Sequence, residues 1–129
     1  MQLIINSLKN QKEFNLVNHR GIKYYSDYFI LIISPIPDQL ICHNPIEQKE
    51  TLYYGIKVGR KYSKKAVIRN KVKRRTRHLV RIISKNQTKG SGMIVIPRKD
   101  FHLADFLDLQ NQFEKFYNKY QKSIVIKAI

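Results

Sequence analysis

Arg69, Lys73, Arg77 and Arg81 recur at four-residue intervals, with Asn70 and Arg74 set between them. On a helix such a row lies along one side, where like charges four apart repel one another. A bound polyanion relieves that repulsion, and the planar fork of arginine matches phosphate as a lysine does not. Asn70 adds a neutral hydrogen-bonding group. These residue types at this spacing suit the gripping of a phosphate-rich surface such as a folded nucleic acid.

Residues suited to catalysis are scarce. A protein that hydrolyses phosphodiesters with divalent metal needs clustered carboxylates, and residues 51–99 contain no Asp or Glu. Asp105 and Asp108, three apart on a helical pattern, read as a solvated face. His19, His43, His78 and His102 are scattered, without the Cys/His spacing of a metal site. Cys42 is the single cysteine, so it forms no internal disulfide and reads as a small hydrophobe. No glycine-rich phosphate loop is present.

The charge is as uneven as the motif. The chain has 129 residues, 25 Lys plus Arg against 9 Asp plus Glu, and a formal charge of +16. Sixteen of the basic residues fall within 51–99, which leaves 9 bases and all 9 acids for the remainder, a sum of zero. A cationic field this concentrated attracts nucleic acid or an acidic membrane; a merely solvated face would mix signs. The membrane is the weaker partner, because the helix needs its apolar side for the core and carries no Phe or Trp anchor. The start of the chain lacks the pattern of a signal peptide, and the longest apolar run, 28–33, is too short to span a bilayer. The expectation is a soluble, cytoplasmic, single domain over residues 1–129 that binds nucleic acid, with no membrane partner.

The elements that must position these groups follow from periodicity. Asn10 is a helix N-cap with Glu13 three residues on, and Gly21 is a C-terminal stop, which predicts a short first helix with Phe14 and Val17 on one face. Residues 24–34, aromatic and β-branched, predict one or two strands, ended by 34–38. A short strand at 40–42 and another over 52–58 follow. Over 66–84, Ile68, Val72, Thr76, Leu79, Val80, Ile82 and Ile83 share one arc of a helix about 28 Å long. Arg75 alone falls among them and is expected to snorkel to the rim. Residues 93–96 predict a buried strand. Residues 103–122 return to helical period, with Phe106, Leu109, Phe113, Phe116, Tyr117 and Tyr120 on one side. The class is α+β.

Residues 59–77, GRKYSKKAVIRNKVKRRTR, resemble the signature of the bacterial ribonuclease P protein subunit. The likeness extends to 14–21, which is similar to the family's first helix with its aromatic and its glycine seven residues on. It extends also to 93–99, similar to the last strand and the basic pair Arg98 and Lys99. The resemblance implies a single-layer mixed sheet packed with three helices in αβββαβα order, with a left-handed βαβ crossover related to a ribosomal-protein domain. It implies as partners a catalytic RNA, which with its own Mg²⁺ removes the 5′ leader of precursor tRNA, and the precursor tRNA itself. The protein would be the non-catalytic subunit, with no intrinsic cofactor or metal and no activity alone.

On that basis Arg60, Lys61, Lys64, Lys65, Arg69, Asn70, Lys71, Lys73, Arg74, Arg77 and Arg81 are expected to bind RNA. Phe14, Asn18, Tyr28, Ile30, Ile32, Arg98 and Lys99 are expected to line a leader cleft between sheet and first helix. The chain departs from the family pattern at several places. Lys71 stands for an arginine, Arg75 for an apolar residue, Asn18 for a frequent second aromatic and Ile32 for a strand tyrosine, and the 35–50 connection is longer than usual. The alternative is a ribosomal-type structural protein that binds rRNA with the same charge.

Overall fold

A computed structural model describes residues 4–36, 51–85 and 90–128, with side chains as far as residue 123. The elements are β1 (Ile4–Ser7), α1 (Gln11–Arg20), β2 (Ile22–Tyr25), β3 (Phe29–Ser34), β4 (Thr51–Ile56), α2 (Ala66–Lys85), β5 (Ser91–Pro97) and α3 (Phe106–Ala128). The strands form one sheet in the order β1-β4-β5-β3-β2. β1, β4 and β5 run parallel, while β3 lies antiparallel to both β5 and β2. From α1 onward the order is the expected one; β1 is an addition at the sheet edge. Cys42, His43 and the strand expected at 40–42 lie outside the described residues.

Alternation along the strands divides the core into two. Phe29, Leu31 and Ile33 of β3 point to one face, where they meet Val72, Leu79, Val80 and Ile83 of α2 and Leu109, Phe113 and Tyr117 of α3. Phe29 anchors that side, with ring centroids 4.5 Å from Phe113 and 6.2 Å from Phe101. Each such pair contributes about 0.5–1.5 kcal/mol beyond the area it buries. Ile32 of β3 and Ile94 of β5 point to the other face, where Val17 of α1, Leu8 and Tyr53 close a smaller cluster. One helix therefore covers one face and two cover the other.

The start of α1 is capped as its sequence predicts: Glu13 N donates to Asn10 Oδ1 at 3.0 Å, and Lys9 N to Glu13 Oε1 at 2.7 Å. Gly21 ends the helix for a different reason than expected. Its φ is −79°, open to any residue, but a Cβ there would lie 2.2 Å from Ile32 Cγ2 and 2.8 Å from the Val17 carbonyl. The glycine allows close approach to β3.

Arg75 also departs from the reading of a snorkelling side chain. Its Nη1 donates to the carbonyls of Phe101 (2.9 Å) and Ala104 (2.6 Å), in the turn that leads into α3. The chain at 100–104 folds back on itself, with Leu103 N and Ala104 N both donating to Asp100 O, and the guanidinium ties that turn to α2. Hydrogen bonds from a charged donor are worth about 1.5–3 kcal/mol each. Replacing Arg75 by Leu is expected to lower stability by about 1–3 kcal/mol in a denaturant melt, while RNA affinity at fixed folded fraction stays within about twofold.

Candidate nucleic-acid interface

Amphipathicity seats α2. Val72, Thr76, Leu79, Val80 and Ile83 are buried, which turns the opposite side of the helix to solvent. The exposed stripe is Asn70, Arg74, Arg77 and Arg81, at spacings of four, three and four that keep one face over about 16 Å of helix. Arg69, Lys71 and Lys73 are only half exposed. Arg69 is turned back, its Nη1 donating to the Ser63 carbonyl at 2.9 Å. Arg69 thus holds the turn before α2 through one arm of its guanidinium, while Arg60, Lys61, Lys64 and Lys65 are exposed.

The far end of the stripe runs beside the edge strand. Arg77 and Arg81 of α2, with Asn6 and Ser7 of β1 and Tyr54 of β4, line a depression of about 330 Å³. Asn6, Ser7 and Tyr54 carry no local signal of this placement, because only the long-range pairing of β1 with β4 brings them beside α2.

A second depression, about 800 Å³, opens where β4 and β5 leave the sheet. Lys57, Arg60, Lys61, Tyr62, Ile96, Arg98 and Lys99 are among its walls. Phe14 stands beside it: the Lys57 ammonium lies 5.9 Å from the centre of its ring. Ile30 and Ile96 flank Phe14 on the α1 face, where Ile32 is fully buried beneath. Asn18 is half-buried one turn along α1. The structure thus sets Phe14 and Ile30 on the α1 side of the sheet above Ile32, and Arg98 and Lys99 in the wall of the adjoining depression.

Tyr28 is a correction. Simple alternation would align it with Ile30 and Ile32, but the strand begins only at Phe29. Ser26 N donates to Phe29 O and Tyr28 N to Ser26 Oγ, so residues 26–29 form the β2–β3 turn. Tyr28 leaves the alternation there and packs against the core of the opposite face.

Two details fix the cleft walls. The Tyr62 hydroxyl accepts from His102 N (3.0 Å) and lies 2.7 Å from His102 Nδ1, locking the basic turn to the segment after β5. Burial pushes the Tyr62 hydroxyl above its ordinary range, against the opposing effect of the hydrogen bond from His102 N and with the charge of Asp100 adding to it. On the other wall, Phe14 sits directly on Gly55: a Cβ there would lie 2.4 Å from two atoms of the ring. Gly55→Ala is expected to push the ring off the sheet, costing about 1–2 kcal/mol of stability by overpacking. A crystal structure of the variant would show the displacement directly.

No group of three or more His, Cys, Asp or Glu gathers as a metal site among the described residues, and no helix among them is long and apolar enough to cross a membrane. Residues 5–121 match the family model for Ribonuclease P. A protein of Rickettsia bellii named ribonuclease P protein component is 46% identical over 121 residues, covering 90% of this chain and 98% of that one. The protein of the same name from Rickettsia prowazekii is 46% identical over 118 residues, covering 89% and 94%. Among solved structures, the RNase P protein of Thermotoga maritima superposes with a TM-score of 0.65 at 26% identity, covering 86% of this chain and 94% of that one. The RNase P protein of Staphylococcus aureus, at 22% identity and a TM-score of 0.61, shares the fold and covers 88% of this chain and 94% of that one.

Proposed function

This chain belongs to the ribonuclease P protein family, and from that premise we propose how it serves tRNA processing: it grips a catalytic RNA through α2 and holds the 5′ leader of precursor tRNA in the cleft beside α1. The observation that carries this reading is the continuity of two surfaces. The stripe Asn70–Arg74–Arg77–Arg81 presents forked donors at a pitch suited to phosphates on a folded RNA. The turn braced by Arg69 carries Arg60, Lys61, Lys64 and Lys65 from that stripe to the cleft, whose cations are Lys57, Arg98 and Lys99. Lys71 and Lys73, half exposed, flank the stripe.

In the cleft, single-stranded RNA meets a ring at Phe14, apolar floor at Ile30 and Ile96, and ammonium and guanidinium groups for its phosphates. Aromatic stacking with cationic tracking is the way single strands are held without sequence preference. The hydrolysis is the work of the RNA partner with its Mg²⁺. Hard divalent ions take oxygen ligands, and the basic stretch 51–99 contains no Asp or Glu to hold one. The protein works in the cytoplasm as a single RNA-binding domain, and its contribution is binding and orientation.

The test is to recover the tagged protein from its own cells and sequence the RNA that comes with it. One abundant structured RNA that cleaves precursor tRNA is the expected result. Recovery of ribosomal subunits instead would overturn the reading.

A further inference from the structure

Strand register leaves part of the α1 face uncovered. α1 has 10 residues, about 15 Å, and it rests on Gly92 through Val17 and on Gly55 through Phe14. Directly paired residues share a face of a sheet. Lys23 pairs with Ile32 and Ile32 with Ile94, and Ile94 pairs with Gly55; this row reaches beneath Phe14. The next row is Tyr25, Ile30 and Ile96, by the pairs Tyr25↔Ile30 and Ile30↔Ile96. Lys57 extends it, its N donating to Val95 O beyond the end of β4.

Tyr25 is the outermost member of this row and is 64% exposed. The neighbouring Tyr24 faces the other way and stacks on Phe116 at 5.4 Å, so the core is served by Tyr24 and leaves the Tyr25 ring to solvent. Cations bracket the row. Arg98 N donates to Tyr28 O (2.8 Å) and its Nη1 to Ser26 O (3.2 Å), which fixes the guanidinium beside the residue that follows Tyr25. Lys57 closes the other end over Phe14. At about 4.8 Å per strand, the row spans about 14 Å from β2 to β4.

We propose that Tyr25 is a base-stacking platform for single-stranded RNA, which extends the leader's path from Phe14 across Ile96 and Ile30 to the β2 edge. The proposal rests on the reading that the leader occupies the α1 face. It assigns to the sheet edge the ring that Asn18 and Ile32 do not supply within the cleft. Arg98, anchored to the β2–β3 turn, meets the phosphate beside the stacked base.

The experiment uses the enzyme reconstituted with its catalytic RNA. It measures binding of mature tRNA and of precursors with truncated or full leaders. Tyr25→Ala is expected to weaken binding of the full-leader precursor about five- to a hundredfold, the loss of one base–aromatic stack. Truncated-leader precursor and mature tRNA should bind as before. Tyr25→Phe should behave as wild type, because stacking uses the ring and not the hydroxyl. Wild-type binding by Tyr25→Ala, or an equal loss on every substrate, would overturn the proposal. Phe14→Ala in the same assay separates the two levels. Leader-dependent loss there but not at Tyr25 sinks the platform alone; no leader-dependent loss at either position sinks the cleft reading with it.

Discussion

Replacing Arg74, Arg77 and Arg81 together with Gln is expected to weaken binding of the catalytic RNA roughly a hundredfold near physiological salt, with the fold unchanged. All three are exposed on one side of α2 and none belongs to the core. Each phosphate left without its cation takes about 0.7–0.9 from the magnitude of the salt slope. The plot of log affinity against log salt should therefore flatten by about 2–3 units. Arg69 is left in place because its guanidinium holds the Ser63 carbonyl, and its loss would disturb the basic turn as well as the charge. If the triple variant bound with unchanged affinity and unchanged slope, the assignment of this face to RNA would be wrong.

Phe14→Ala is expected to cost about 1–3 kcal/mol in binding of precursor tRNA by the assembled enzyme, the range for one stacked base. Mature tRNA, which has no leader, should bind as before. The ring is half-buried and rests on Gly55 and beside Lys57, so truncation also lowers stability, and binding must be compared at equal folded fraction. Loss on precursor and mature tRNA alike, with a lowered Tm, would mean that Phe14 serves only the packing of α1 on the sheet.

The parts of the fold legible in the sequence are those with strong local period. The buried faces of α2 and α3 are legible residue by residue, because Val72, Leu79 and Ile83 on one helix and Leu109, Phe113 and Tyr117 on the other recur at helical spacing. The N-cap of α1 is legible from Asn10 and Glu13 alone. β1 is not, since four residues at a sheet edge carry no periodic signal and exist as a strand only through pairing with β4. Arg75 is visible as a misfit on the helical wheel, but its partners are main-chain carbonyls 26 and 29 residues away, which no side-chain pattern encodes. The same holds for the site. The basic motif stands out in the sequence, yet which of its members are free and which, like Arg69, are engaged depends on the turn at 59–65. Tyr28 departs from expectation because strand alternation stops at Phe29, and the residue before it belongs to a turn.

The proposed function assigns the reaction to RNA and only assistance to the protein. The most direct measurement adds purified protein, the catalytic RNA, or both to precursor tRNA and follows release of the 5′ leader at low Mg²⁺. Cleavage by the two together, weak cleavage by the RNA alone and none by the protein alone is the expected pattern. Leader release by RNA-free protein, abolished by Asp105→Ala or Asp108→Ala, would show instead that the protein carries the chemistry itself.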